Sequence, residues 1–220
     1  MRVKVCGLTR KEDVEICDSL GVDALGFILA ESPRRVEIED VAFLTEDISP
    51  FICRVVVVMN PDNDLLDKIV SSKLFDYIQF HGNEDPEIIK KCPLKKIKSI
   101  SISINKCKHD RYLIDINKEI DKYDDADFFL FDTKSGKSKG GTGKSFNWSI
   151  FKSLDIRKPF ILAGGLGIDN IESALNIEGL SGVDLNSKLE SAPGIKDKEK
   201  LYKVMENIKR GRNKVMDIIK

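Results

Sequence analysis

No run in this 220-residue chain is apolar for long enough to cross a bilayer, and no apolar leader precedes the first strand-like stretch, Arg2 to Cys6. Net charge is missing too. The 36 Lys and Arg balance 36 Asp and Glu, so nothing global draws the chain to nucleic acid or a membrane surface. The five cysteines (Cys6, Cys17, Cys53, Cys92, Cys107) are odd in number and lack C-x-x-C spacing, which indicates neither a disulfide framework nor a metal site. A cytoplasmic setting fits these absences. Arginine is scarce as well, only nine of the 36 basic residues, so the adjacent Arg34-Arg35 stands out as a possible planar, two-pronged anion contact.

What is present is a succession of strand-length apolar runs, each followed by a segment of helical period. The strands read as Arg2 to Cys6, Ala24 to Ala30, Val55 to Met59, Asp76 to Phe80, Ile97 to Ile104, Phe128 to Asp132, Phe160 to Ala163 and Gly182 to Asn186. Helix starts are expected at Thr9 with Glu12 as a capping box, at Asn60-Pro61, at Asn83 and at Ser145. Gly211 is expected to interrupt or end the last helix, leaving 211–220 as a possible C-terminal extension. Eight strand-helix units without an internal linker predict an α/β chain folded as a single (β/α)8 TIM barrel over residues 1–220. An open doubly wound sheet is the alternative, but Cys6-Gly7-Leu8-Thr9 lacks the glycine signature that should follow its first strand.

In such a barrel chemistry gathers at the carboxyl ends of the strands. Those ends carry Cys6, Arg34-Arg35, Asn60, His81, Asp132, Gly164-Gly165, Asp184 and Asn186-Ser187. The run after Phe131-Asp132-Thr133 is rich in Gly and Lys (Gly140-Gly141-Thr142-Gly143-Lys144), able to fold over a charge held at the end of a buried strand.

Val3-Lys4-Val5-Cys6-Gly7-Leu8-Thr9, Gly26-Phe27-Ile28 with Ser32-Pro33-Arg34-Arg35, Gln79-Phe80-His81-Gly82 and Phe131-Asp132-Thr133 follow one order along the chain. Ala163-Gly164-Gly165-Leu166 and Gly182-Val183-Asp184 with Glu190 and Pro193-Gly194 complete it. Together they closely resemble the phosphoribosylanthranilate isomerases of tryptophan biosynthesis. The resemblance implies a cofactor-free Amadori rearrangement of a small phosphosugar, with no nucleic acid or membrane partner, by a monomer or homodimer. By position Asp132 resembles the general acid that opens the ribose ring, and Cys6 the general base that takes the proton from the carbon bearing the 2-hydroxyl. Arg35 matches the position expected to hold the anthranilate carboxylate, with Arg34 left along the surface.

At ordinary pKa values of about 3.9 and 8.5, protonating Asp132 and ionising Cys6 at pH 7 would together cost roughly 6 kcal/mol. The site is therefore expected to raise Asp132 by desolvation and to favour a Cys6 thiolate with nearby positive charge, or to complete both shifts on binding substrate. Gln79 and His81 share strand parity and should point inward, His81 to position substrate. Phosphate is expected on backbone N–H groups of Gly164, Gly165, Asn186 and Ser187, with Asp184 in the same substrate-binding set.

Three departures from the family pattern stand out. Asn186 and Lys188 occupy positions where serine and glycine are common, and Asn147 replaces a frequent aspartate. Lys188 either strains the local turn or adds a direct charge on phosphate. Lys4 shares the parity of Cys6, and an inward ammonium needs a partner, for which Asp184 is placed. A class I aldolase-type lyase using Lys4 or Lys134, and a non-catalytic phosphosugar-binding barrel, remain as alternatives. Cys17, Cys92 and Cys107 fall in helical stretches and read as core.

Overall fold

In the computed structural model, which describes residues 1–103, 110–134 and 148–218, eight parallel strands close into a barrel in chain order. They are β1 (Arg2–Cys6), β2 (Ala24–Ile28), β3 (Cys53–Val58), β4 (Tyr77–Phe80), β5 (Lys95–Ser103), β6 (Phe128–Lys134), β7 (Phe160–Ala163) and β8 (Leu180–Leu185). Helices α1 (Lys11–Ser19), α2 (Ile38–Leu44), α3 (Asn63–Ser72), α4 (Pro86–Lys91), α5 (Asp110–Lys122), α6 (Ile171–Ala174) and α7 (Lys198–Ile218) cover the outside. A short hairpin, β9 (Glu190–Ala192) and β10 (Ile195–Lys196), lies between β8 and α7. No helix among the described residues is long and apolar enough to cross a membrane.

Strand alternation sorts the side chains into two apolar bodies. Val56, Val58, Phe129, Phe131, Val183 and Leu185 point outward into the core shared with the helices. Val55, Ile97, Leu130 and Ala163 point inward and form a plug with Ala24, Tyr77, Phe128 and Ile161. The site therefore rests on a filled interior rather than a pore. At the opposite end, carboxylates accept from strand N–H groups: Asp23 from Val3 at 2.8 Å, Asp76 from Arg54 at 2.7 Å and Asp127 from Lys96 at 2.7 Å.

Several local expectations are corrected. Thr9 does not cap α1, whose N-cap is Arg10; its hydroxyl instead donates to Gly194 O at 2.7 Å, tying the loop after β1 to the hairpin after β8. Asn60 does not open α3 either, because Asp62 caps it by accepting from Leu65 N. Asn60 takes a left-handed φ of 46° and its Oδ1 accepts from Asn83 N, so both residues serve the turns over β3 and β4 while Asp85 caps α4. After β6 comes a 3-10 helix over Trp148–Ser153, and α6 is only a single turn. Phe43 on α2 is 60% exposed, with Lys11 over its ring. Gly211 neither breaks nor ends α7: a Cβ there would lie 2.5 Å from Leu175 Cδ1, so glycine lets the helix approach the segment after α6. The expected helix start at Ser145, the Gly-rich run, Asn147 and Cys107 lie outside the described residues, as does the Lys134 side chain.

Candidate active site

The carboxyl ends of the strands surround a cavity of about 350 Å³ floored by Leu130 and Ala163, the upper members of the inner plug. Cys6 from β1 and Asp132 from β6 both line it. So do His81, Asp184, Gly164, Gly165, Asn186 and Ser187, each inferred from the chain alone. Arg35 does not.

Cys6 owes its place to two glycines. A Cβ on Gly26, its register partner in β2, would sit 2.7 Å from Cys6 Sγ, so the missing side chain is the space the thiol occupies. Gly7 turns the chain away at φ 72°, where a Cβ would strike Arg34 and Asn186. Beneath the thiol, Lys4 Nζ donates to Asp184 Oδ1 at 2.9 Å, and both side chains are buried. Burial alone would depress the ammonium, but Asp184 and Cys6 outweigh it and hold Lys4 above its ordinary pKa. The buried ion pair is thus the reading of Lys4 that the geometry supports.

Of the two expectations for Cys6, a thiolate favoured by nearby charge is not what the site shows, which leaves a shift completed on binding substrate. Burial pushes its thiol above the usual range, and Lys4, although close, only partly offsets this. At pH 7 the group is therefore held as a thiol.

His81 follows β4, its N–H extending the ladder to Val58 O at 2.9 Å. Gln79 Nε2 is 3.2 Å from His81 Nδ1, and His81 Nε2 is 3.9 Å from Asp132 Oδ2. Burial lowers the imidazole pKa more than Asp132 raises it, so the ring is neutral at pH 7. Asp132 itself is anchored from behind, where the outward Phe131 packs on Phe151 and Phe160.

Two charge clusters escaped the sequence reading. Arg34, expected along the surface, lines the cavity and forms a two-pronged bond to Glu190, Nε to Oε1 at 2.8 Å and Nη2 to Oε2 at 2.6 Å. Lys196 Nζ donates to the same Glu190 Oε1 and to Asn186 Oδ1, both at 2.9 Å. Burial would raise Glu190, but Arg34 and Lys196 overcome it and hold the carboxyl at about 2. In the second cluster the wholly buried Lys98 and Glu84 meet at 2.8 Å. Glu84 also accepts from Asn60 N and Gly82 N, and Lys98 donates to Gly82 O, clamping the turn that carries His81. A lysine in the apolar run of β5 was the available signal for this cluster; Arg34 and Glu190, 156 residues apart, both stand in the quoted motifs, but nothing in the sequence pairs them.

Arg35 is exposed on the far side of the turn, 3.0 Å from the exposed Glu37. On the opposite rim, Gly164 and Gly165 take φ of 97° and 62°. A Cβ on Gly164 would meet Thr133 O at 2.2 Å, whereas a Cβ on Gly165 would meet nothing within 4 Å. Ser187–Leu189 is a turn of 3-10 helix, and Lys188 has no left-handed φ, so the lysine is accepted there without strain. Its side chain is exposed at the cavity mouth.

A parallel eight-stranded barrel that sets a thiol, an imidazole and two carboxylates at its carboxyl-terminal mouth has the architecture of a TIM-barrel enzyme. Residues 3–207 match the family described as N-(5'phosphoribosyl)anthranilate (PRA) isomerase. An N-(5'-phosphoribosyl)anthranilate isomerase of Petrotoga mobilis is 50% identical over 209 residues, spanning 94% of this chain and 97% of the relative. The crystal structure of phosphoribosyl anthranilate isomerase from Thermotoga maritima superposes with a TM-score of 0.79 at 29% identity, covering 95% of this chain and 98% of that one. A further isomerase structure, in complex with reduced 1-(o-carboxyphenylamino)-1-deoxyribulose 5-phosphate, gives 0.77 at 26% identity, covering 95% and 98%. The chain belongs to the N-(5'-phosphoribosyl)anthranilate isomerase family.

Proposed function

We propose that the chain converts N-(5-phosphoribosyl)anthranilate to 1-(2-carboxyphenylamino)-1-deoxyribulose 5-phosphate in tryptophan biosynthesis, with Asp132 as general acid and Cys6 as general base. The observation that supports this most is that both side chains, from strands well apart in the barrel, line one cavity of a size that suits a small ligand. Asp132 gives its proton to the ribose ring oxygen, the ring opens, and the nitrogen forms a Schiff base with C1. Cys6 then removes the proton from C2, and the electron pair moves to form the enolamine, which becomes the aminoketose. The thiol must ionise for this step, and the cationic Schiff base formed beside it adds to the positive charge of Lys4, which alone does not offset burial.

The remaining contacts follow from what is committed and what is free. Arg34, which lines the cavity, is better placed to meet the anthranilate carboxylate than Arg35, which is exposed outside the cavity and pairs there with Glu37. Backbone N–H groups at Gly164, Gly165, Asn186 and Ser187 receive the phosphate, and the Lys188 ammonium adds charge at the mouth. Lys4, bound to Asp184 and held protonated, is a poor Schiff-base nucleophile, which weighs against the lyase reading.

A fluorescence assay of substrate consumption tests the assignment. Turnover is expected in the parent chain and near-complete loss in Cys6→Ala and Asp132→Asn. No turnover in the parent, or full activity in both variants, would sink it. Borohydride trapping of substrate on a lysine would favour the lyase.

A further inference from the structure

We propose that Gln79 is a positioning residue that keeps His81 as the neutral imidazole with its proton on Nε2, directed at Asp132. The inference rests on the acid role given to Asp132. Gln79 sits on β4, two residues before His81 and on the same inward face, and is only 2% exposed. Its amide nitrogen is 3.2 Å from His81 Nδ1, while its buried Oε1 has no hydrogen-bond partner among the described residues. Turned over, the amide would place its whole NH2 group where the oxygen now stands unpartnered. The observed orientation strands an acceptor instead of a pair of donors, and it makes Nδ1 the accepting nitrogen.

A neutral ring has one proton, so accepting at Nδ1 puts it on Nε2. That nitrogen faces Asp132 Oδ2 at 3.9 Å, too far for a bond, but an oxygen set beside the two atoms can reach both. The opposite tautomer would turn a lone pair toward the carboxylate. With the proton on Nε2, a donor waits for the charge that appears on Asp132 as it gives up its proton, and for the sugar oxygen between them. The surroundings leave the ring neutral: Asp132 and Asp184 favour its cation, Lys4 and Lys98 oppose it, and burial, acting with the lysines, outweighs the two carboxylates.

The chain has only two histidines, so ¹⁵N imidazole spectra are assigned with a single His81→Asn control. In the parent, His81 is expected to show a protonated Nε2 and an unprotonated Nδ1. In Gln79→Glu the carboxylate accepts from Nδ1, so the proton is expected to move there, the His81 pKa to rise by at least about one unit, and kcat to fall at least about tenfold with KM little changed. Gln79→Met, which neither donates nor accepts here, is expected to lose the uniform tautomer and serves if the Glu variant fails to fold. A parent spectrum with Nδ1 protonated would overturn the proposal, as would His81 signals and kcat that match the parent in both variants. The spectra require no substrate, so failure of the proposed reaction would appear separately, as a parent chain without turnover whose tautomer still responds to residue 79.

Discussion

Lys4 and Asp184 meet at 2.9 Å at the base of the cavity, on register partners of the first and last strands, so one buried ion pair both closes the barrel seam and underlies Cys6. Removing one partner strands the other charge. Lys4→Met is expected to destabilise the chain by about 3–5 kcal/mol in urea unfolding, while Lys4→Met with Asp184→Leu should lose markedly less. Additive losses would mean that the pair is not coupled.

The raised thiol of Cys6 gives a pH signature. In the free protein, thiolate formation is expected to begin only above the usual thiol range, so alkylation of Cys6 should accelerate with pH and remain short of a plateau at about pH 9. Mass spectrometry of iodoacetamide-treated protein measures it. A plateau near neutrality would mean that Lys4 outweighs burial.

Gly26→Ala introduces a methyl group 2.7 Å from Cys6 Sγ, into the space the sulfur now fills. The expected result is a kcat reduced by about a hundredfold through displacement of the base, with a smaller effect on KM. Steady-state kinetics on the purified variant, with thermal unfolding as the folding control, decides it.

Glu190 carries the clearest acid dependence. Its folded pKa of about 2 lies below the ordinary 4.5, so its contribution is fully present above about pH 4.5 and is lost as pH falls toward 2. At about 1.36 kcal/mol per unit, the shift corresponds to about 3 kcal/mol, shared with Arg34 and Lys196. The stability difference between parent and Glu190→Gln should shrink across that window. Chemical unfolding from pH 6 to the lowest pH at which the parent remains folded measures it.

Lys188→Ala should raise KM several-fold while leaving kcat nearly unchanged, and the parent's KM should be the more sensitive to added salt. An unaltered KM at low ionic strength would remove the ammonium from the phosphate subsite.

Barrel and mouth were legible because apolar runs of strand length end in polar residues, and their place at the carboxyl ends of parallel strands sends Cys6, His81, Asp132 and Asp184 to one rim. Local signals failed where a tertiary partner intervened. Thr9 has capping chemistry, but Gly194 claims its hydroxyl; Asn60 could open a helix, but Asn83 claims its amide oxygen. Arg34 looked dispensable beside Arg35 because its partner Glu190 is remote in sequence, and a 3-10 turn spares Lys188 a left-handed φ.

One carboxylate, Glu190, binds both Arg34 from the turn after β2 and Lys196 from the hairpin after β8. The two banks of the entrance cannot drift apart independently. Reshaping one bank to admit a bulkier aglycone would have to be matched by compensating changes on the other, which makes paired rather than single substitutions the route to altered selectivity in this scaffold.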